Sequence, residues 1–357
     1  KGRLQPAIFL GDGSGNLFDV ARIATGGEPT ALVNFGDRIA VADRRNSRVL
    51  VYRKTEDGRL VQDGTAATGQ EPVAIGAADV NDDGRLDLVT ANDVGQSVSV
   101  LLANSTGFEA ARNTSIGGVP GALSLGDFDV DGFADFAVTL PLQNRVAVYR
   151  QSPQNGQFGL AFQADVAARP SAILLADDQA VRITGDTFPD LLVLSDDASV
   201  LTLFEGQLPE TVPPFVQVAR FTAPAGPLAL VATEIDRDAE GFADLVLVGQ
   251  DAGRVMVMRG RGGGSYIAAV TFPTDMGPSA IVLGDFDQDK KSDILTANLN
   301  ANTVSFLRGN GLGSVRSEGD VAVLVAPSLM SAGELTGDAL LDVVIASQTN
   351  ATAAIYR

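Results

Sequence analysis

Asp127, Asp129, Asp131 and Asp135 put four carboxylates at positions 1, 3, 5 and 9 of one short run, GDFDVDGFADF, residues 126–136. Like charges this close repel one another unless a cation sits among them. Oxygen donors at alternating positions suit a hard cation of calcium's size. Phe133 at position 7 adds a backbone carbonyl, and Gly132 at position 6 permits the sharp turn. Magnesium fits less well, because it prefers a small octahedral shell with retained water. A solvated Asp/Gly turn is the ordinary alternative. That alternative needs neither the carboxylate at position 9 nor a return of the spacing elsewhere.

The spacing does return. Asp79, Asn81, Asp83 and Asp87 form a second set, with the carbonyl of Arg85. Asp285, Asp287, Asp289 and Asp293 form a third, with the carbonyl of Lys291, and Lys290 stands where the glycine would be. Asp236, Asp238, Glu240 and Asp244 form a fourth, with the carbonyl of Phe242, and the longer Glu240 changes its geometry. Glu334, Thr336, Asp338 and Asp342 make a weaker fifth. These loops predict about four calcium ions, one each at Asp79, Asp127, Asp236 and Asp285, with the loop at Glu334 as the candidate for a fifth. In the run 182–190, Arg182 takes position 1, so its guanidinium pairs with Asp186 and Asp190 and no ion is expected.

What positions these loops is a repeat. Asp79 and Asp127 are 48 residues apart, Asp236 and Asp285 are 49 apart, and Asp285 and Glu334 again 49. Each unit reads as a short apolar strand (PVAIGAA, PSAIVLG), the acidic loop, a second strand (LDLVTA, SDILTA), a polar turn, a third strand (SVSVLL, TVSFLRG) and a more polar fourth. No long amphipathic helical period is present. Four short strands per 48–55 residues is the arithmetic of a propeller blade, since one such sheet buries both faces only against neighbours. The predicted fold is all-β, a seven-bladed β-propeller of four-stranded antiparallel blades. The blades fall near 28–69, 70–118, 119–168, 169–225, 226–276, 277–325, and 326–357 closed by 1–27. The first unit has lost its acidic loop by deletion, and PAIFL and TAAIYR both read as third strands, so one is surplus.

Composition narrows the function. The chain has 357 residues, with 44 acidic against 26 basic side chains and a formal charge of −18. A nucleic acid or an anionic membrane is therefore a poor partner. No run has the length and apolarity of a membrane span. There is no cysteine and no histidine, which removes disulfides, thiolate or imidazole metal ligands, and Cys or His catalytic pairs. The start at Lys1, without Met or an apolar leader, points to a processed or excised chain.

The D-x-D-x-D-G-x-x-D loop before a hydrophobic strand, at 127–135 and with substitutions in the other copies, resembles the FG-GAP/VCBS repeat family, which includes the integrin alpha-subunit propeller. The likeness spans about 28–350. It implies a calcium-stabilised propeller that is secreted, periplasmic or at a cell surface. It also implies a binding, adhesion or scaffold module with a protein or glycan partner at a loop-bearing face. The alternative is a carbohydrate-active enzyme or its glycan-binding accessory domain, since glycoside hydrolysis needs only two carboxylates. Nearly every suggestive Asp is already assigned to a loop, so the reading leans against an enzyme. Asp43, Asp196 and Asp197 read as surface turns. RGRGGGSY, 259–266, reads as a hairpin turn rather than a phosphate cradle, and Tyr149, Arg150, Phe204, Tyr266 and Tyr356 read as packing between blades.

Overall fold

The computed structural model describes all residues except 1–7, 12–16, 25–26, 56–59, 177–182, 208–213, 238–240, 324, 334–340, 348–351 and 357. Six antiparallel sheets have four strands each. Their first strands are Pro29–Phe35, Pro72–Ala78, Leu123–Gly126, Pro170–Ala176, Pro227–Thr233 and Pro278–Gly284. These sheets are numbered here as blades 1 to 6. A further sheet closes the ring from both ends of the chain, in the order Leu329–Gly333, Asp342–Ser347, Thr352–Tyr356, Leu17–Ala24 and Ile8–Gly11.

The expectation of seven four-stranded blades is thereby corrected: among the described residues the four-stranded sheets number six, and the closing sheet has five strands. Thr352–Tyr356 takes the third place and Leu17–Ala24 the fourth, pairing antiparallel through Arg22 opposite Ala354. The surplus strand Ile8–Gly11 pairs onto the outer edge of Leu17–Ala24. That edge would otherwise present a row of unpaired N–H and C=O groups.

The sequence explains the layering. Second strands such as Asp87–Asn92 and Asp293–Asn298 are buried at every residue, because both faces meet neighbouring blades. Their valines and leucines interlock pairwise around the ring. Val89 and Val100 of blade 2 pack on Phe136 and Val138 of blade 3, and Ile39 and Val41 of blade 1 pack on Val344 of the closing sheet. First strands lie innermost and carry small residues, as a converging ring requires. A Cβ added at Gly76 would stand 2.8 Å from Leu125 Cδ1 of the next blade. Five of the first strands begin with Pro, where no ladder donor is needed. Blade 1 replaces the acidic loop with a two-residue turn, pairing Phe35 directly with Arg38, and Gly36 takes the positive φ of 63°. Among the described residues the one helical element is the single 3-10 turn Pro141–Gln143, and no helix is long and apolar enough to cross a membrane.

Candidate metal centres

In an antiparallel meander the connection from first to second strand and that from third to fourth lie at the same end of the sheet. The acidic loops therefore share one end of the ring. Among the described residues, three groups bring a carboxylate oxygen from each of three residues within 4.8 Å of one another: Asp127, Asp129 and Asp135; Glu234, Asp236 and Asp244; Asp285, Asp287 and Asp289. Buried acceptors without a hydrogen-bond partner point inward in each: Asp129 Oδ1, Glu234 Oε1 and Asp285 Oδ1. An acceptor left this way costs about 1–3 kcal/mol unless an ion or donor meets it, so these groups fit a hard cation.

The loop 127–135 is tied by its own backbone. Asp127 accepts from the N–H of Asp131 at 3.0 Å and of Gly132 at 2.8 Å, and Asp131 accepts from Phe133 N–H at 3.0 Å. Arg150, from the third strand, pairs with Asp129 and reaches Asp131 at 3.4 Å. Burial pushes the Asp129 carboxyl up to about 6, with the Asp131 charge adding to it and Arg150 opposing. Burial also pushes Asp135 up to about 8, against the hydrogen bond from Gln151 N–H. The same guanidinium position recurs in two other blades, where Arg308 pairs with Asp287 and Arg259 lies 3.6 Å from Asp236.

The other copies differ. In 285–293, Lys290 N–H donates to Asp285 at 2.9 Å, while Lys291 Nζ lies 2.6 Å from Asp289. The loop 79–87 keeps its internal bonds, with Asp79 accepting from Asp83 N–H at 3.1 Å and Gly84 N–H at 2.7 Å. Its three carboxylates, Asp79, Asp83 and Asp87, are not among the groups gathered within 4.8 Å, and Asn81 stands at position 3. In the fourth set the cluster includes Glu234, which sequence reasoning missed. Burial, followed by a hydrogen bond and charge from Asp236 and the charge of Asp244, pushes Glu234 up to about 7. The signal available was a carboxylate two residues ahead of position 1, a place held by Ala77, Leu125 and Leu283 in other copies. Asp238, Glu240, Glu334, Thr336, Asp338 and Arg182 lie outside the described residues, so nothing is added here to the expectations made for them.

The carboxylate at position 9 has a second task. Asp87, Asp135, Asp190, Asp244 and Asp293 are each buried, with at most 1% of their surface exposed. One oxygen accepts from a backbone N–H near the loop's start: from Val80 at 3.0 Å, Phe128 at 3.3 Å, Thr184 at 2.9 Å, Ile235 at 2.9 Å and Phe286 at 3.1 Å, respectively. The other accepts from the N–H sixteen residues on, at the end of the third strand: Ala103 at 2.6 Å, Gln151 at 2.7 Å, Gly206 at 3.2 Å, Gly260 at 2.9 Å and Gly309 at 2.8 Å. This clamp is present at Asp190 as well, in the loop for which no ion is expected. Asp43 is not the surface turn that its place near a strand end suggests. It is fully buried and accepts from Glu28 N–H at 3.0 Å, Asn46 Nδ2 at 2.7 Å and Arg48 Nε at 2.9 Å, so it ties the turn that follows it to the start of the blade.

Comparison with known proteins separates the loop from the ring. A family model for FG-GAP-like repeats matches residues 79–138 and 236–296, which is under half of the chain. No curated protein matches. Solved structures match the whole ring. A provisionally named 6-phosphogluconolactonase from Bacteroides fragilis superposes with a TM-score of 0.69 at 14% identity, covering 91% of this chain and 96% of that one. The periplasmic gluconolactonase PpgL of Pseudomonas aeruginosa gives 0.62 at 17%, covering 91% and 97%. Sqt1 of Saccharomyces cerevisiae gives 0.61 at 12%, covering 92% and 95%. At these identities the likeness is one of fold. The identification of residues 28–350 with an integrin-type FG-GAP/VCBS propeller is therefore corrected. The repeat match is confined to two stretches, and propellers named as lactonases match over 91% of the chain. One fold carries many functions. The lean toward a non-enzymatic adhesion module is corrected with it, since a fold that includes proteins named as lactonases gives no argument against catalysis.

Proposed function

We propose that this chain is a calcium-binding β-propeller that works outside the cytoplasm on a carbohydrate or a sugar-acid lactone. The observation that carries the cation is the three carboxylate groups, each gathered within 4.8 Å. Their donors are all oxygen, from flexible loops, which suits calcium's larger and less regular shell. Residues 127–135, 234–244 and 285–293 would hold the ions, with 79–87 a fourth site through Asn81 and the Arg85 carbonyl, and the loop at Glu334 a fifth. A bound ion would offset part of the −18 charge and would polarise a carbonyl brought to the loop end of the ring.

The carbohydrate reading is supported by the likeness in fold, over 91% of the chain, to propellers named as 6-phosphogluconolactonase and gluconolactonase. The location outside the cytoplasm is supported by the periplasmic gluconolactonase among them. Lactone opening releases one proton per molecule, so a pH-stat assay with glucono-lactone and 6-phosphogluconolactone tests turnover directly. We expect hydrolysis above the spontaneous rate, or retention of a sugar on a glycan array by the calcium-loaded protein. Neither turnover nor sugar binding would end this reading while leaving the cation sites standing.

The arginine at the third-strand end competes with the ion for the same oxygens. Arg150→Gln should tighten calcium at the 127–135 loop roughly two- to fivefold, the range of a half-exposed ion pair. Isothermal titration of the variant against the parent reads this, and unchanged affinity would show that Arg150 swings clear at no cost.

A further inference from the structure

Gln151 breaks the rule of its own position. The residue at the end of the third strand donates its N–H to the position-9 aspartate in five blades, and in blades 4, 5 and 6 it is Gly206, Gly260 or Gly309. There a Cβ would meet a backbone oxygen at 2.3 Å (Pro189), 2.5 Å (Ala243) and 2.0 Å (Ser292). Blade 3 opens that space and fills it with a long amide. Gln151 is 4% exposed. Its Nε2 donates to the carbonyl of Val80 in blade 2 at 2.9 Å, and its Oε1 has no hydrogen-bond partner. Turning the amide over would place two carbonyl oxygens face to face, so the orientation is fixed.

Beside it lies a cavity of about 510 Å³ between blades 2 and 3. Its lining includes Asn81, Arg112, Asn113, Gln151, Asn155 and Phe158. The volume falls within the ~300–1,000 Å³ of small-molecule sites. Asn113 Oδ1 already accepts from Ser99 at 2.6 Å and Asn155 Oδ1 from Gln157 N–H at 2.9 Å, which turns the Nδ2 of each outward as a donor. Neutral amides, one guanidinium, one aromatic ring and a buried acceptor are what a polyhydroxylated ring with an apolar C–H face matches.

We propose that the cleft between blades 2 and 3 binds a single sugar unit, with Gln151 as its buried acceptor and Phe158 as its apolar wall. This rests on the carbohydrate reading and adds the place. Gln151 also joins two acidic loops, since Val80 belongs to 79–87 and Asp135, which accepts the Gln151 N–H, closes 127–135.

The test titrates the whole chain, in calcium, with glucose, galactose, mannose and gluconate, followed by calorimetry and by ligand-observed NMR. We expect one of them to bind, with affinity reduced at least tenfold in Gln151→Leu and in Asn155→Ala. The second variant changes an exposed rim residue and keeps the test valid should the first fail to fold. Equal binding by the parent and both variants would overturn the site and leave the carbohydrate reading intact. No sugar binding alongside lactone turnover would likewise overturn the site alone. Absence of both would remove the reading and the site together.

Discussion

Asp135→Ala lowers stability by roughly 3–5 kcal/mol even in chelator, and by more in calcium, where a ligand is lost as well. The carboxylate takes two buried N–H groups, from Phe128 and Gln151, and no water reaches them when it is cut away. Each orphaned donor costs about 1–3 kcal/mol, and the vacated volume adds to that. Asp135→Asn retains one acceptor oxygen and turns an amide N–H toward the other donor, so it should lose nearly as much. Asp190→Ala should lose as much in chelator and no more in calcium, because its clamp to Thr184 and Gly206 is the same and its loop is not among the carboxylate groups. Asp129→Asn is the contrast. Its Oδ1 holds no hydrogen bond and its partner Arg150 is half-exposed, so its loss should matter chiefly in calcium and by about 1 kcal/mol or less in chelator. Thermal melts of the four variants with and without calcium separate the two roles. Position-9 variants that are destabilised only in calcium would show the clamp to be a by-product of ion binding.

This double role explains how much of the site was legible. Asp127, Asp129 and Asp131 announce themselves by spacing, and the structure brings Asp127, Asp129 and Asp135 within 4.8 Å, leaving Asp131 out of that group. Position 9 reads as a ligand because a solvated turn has no need of it. Its backbone partner lies sixteen residues on, beyond the reach of a local motif. Glu234 escaped because it precedes the run and belongs, in sequence, to the end of a first strand. Gln151 escaped for the opposite reason: only against Gly206, Gly260 and Gly309, and against the wall their missing Cβ atoms would strike, does a glutamine there become informative.

The ring was legible through its period, since a short sheet that recurs at a fixed spacing buries both faces only against its neighbours. The number of strands in the closing sheet was not. It depends on whether the head's first strand finds an edge to pair with, a non-local matter that no repeat encodes. Likeness in fold to propellers named as lactonases was invisible too. At 12–17% identity the shared feature is the packing of blades, which many sequences satisfy, rather than any residue a reader could quote.

Stripping calcium at pH 8 should lower the melting temperature on the order of 10 °C, and at pH 5 by much less. The sign follows from the carboxyls. Asp129, Asp135 and Glu234 stand at about 6, 8 and 7 in the cation-free fold, above their ordinary values of 3.8, 3.8 and 4.5. A carboxyl raised on folding binds more protons folded than unfolded, so its contribution is full below pH ~4 and is lost as pH rises through its folded value. The stripped protein therefore weakens steadily from pH ~4 to pH ~8. Calcium needs the same carboxyls ionised, so its binding releases protons and tightens over that interval. At a concentration a hundredfold above its Kd each ion contributes about 2.7 kcal/mol, and three occupied groups about 8 kcal/mol. The gap between loaded and stripped melts should widen with pH, and proton release on titration should be greatest near neutrality. Parallel curves across pH 5 to 8 would mean that these buried carboxyls do not meet the ion, and the three groups would then have to be read as proton-sharing structural clusters.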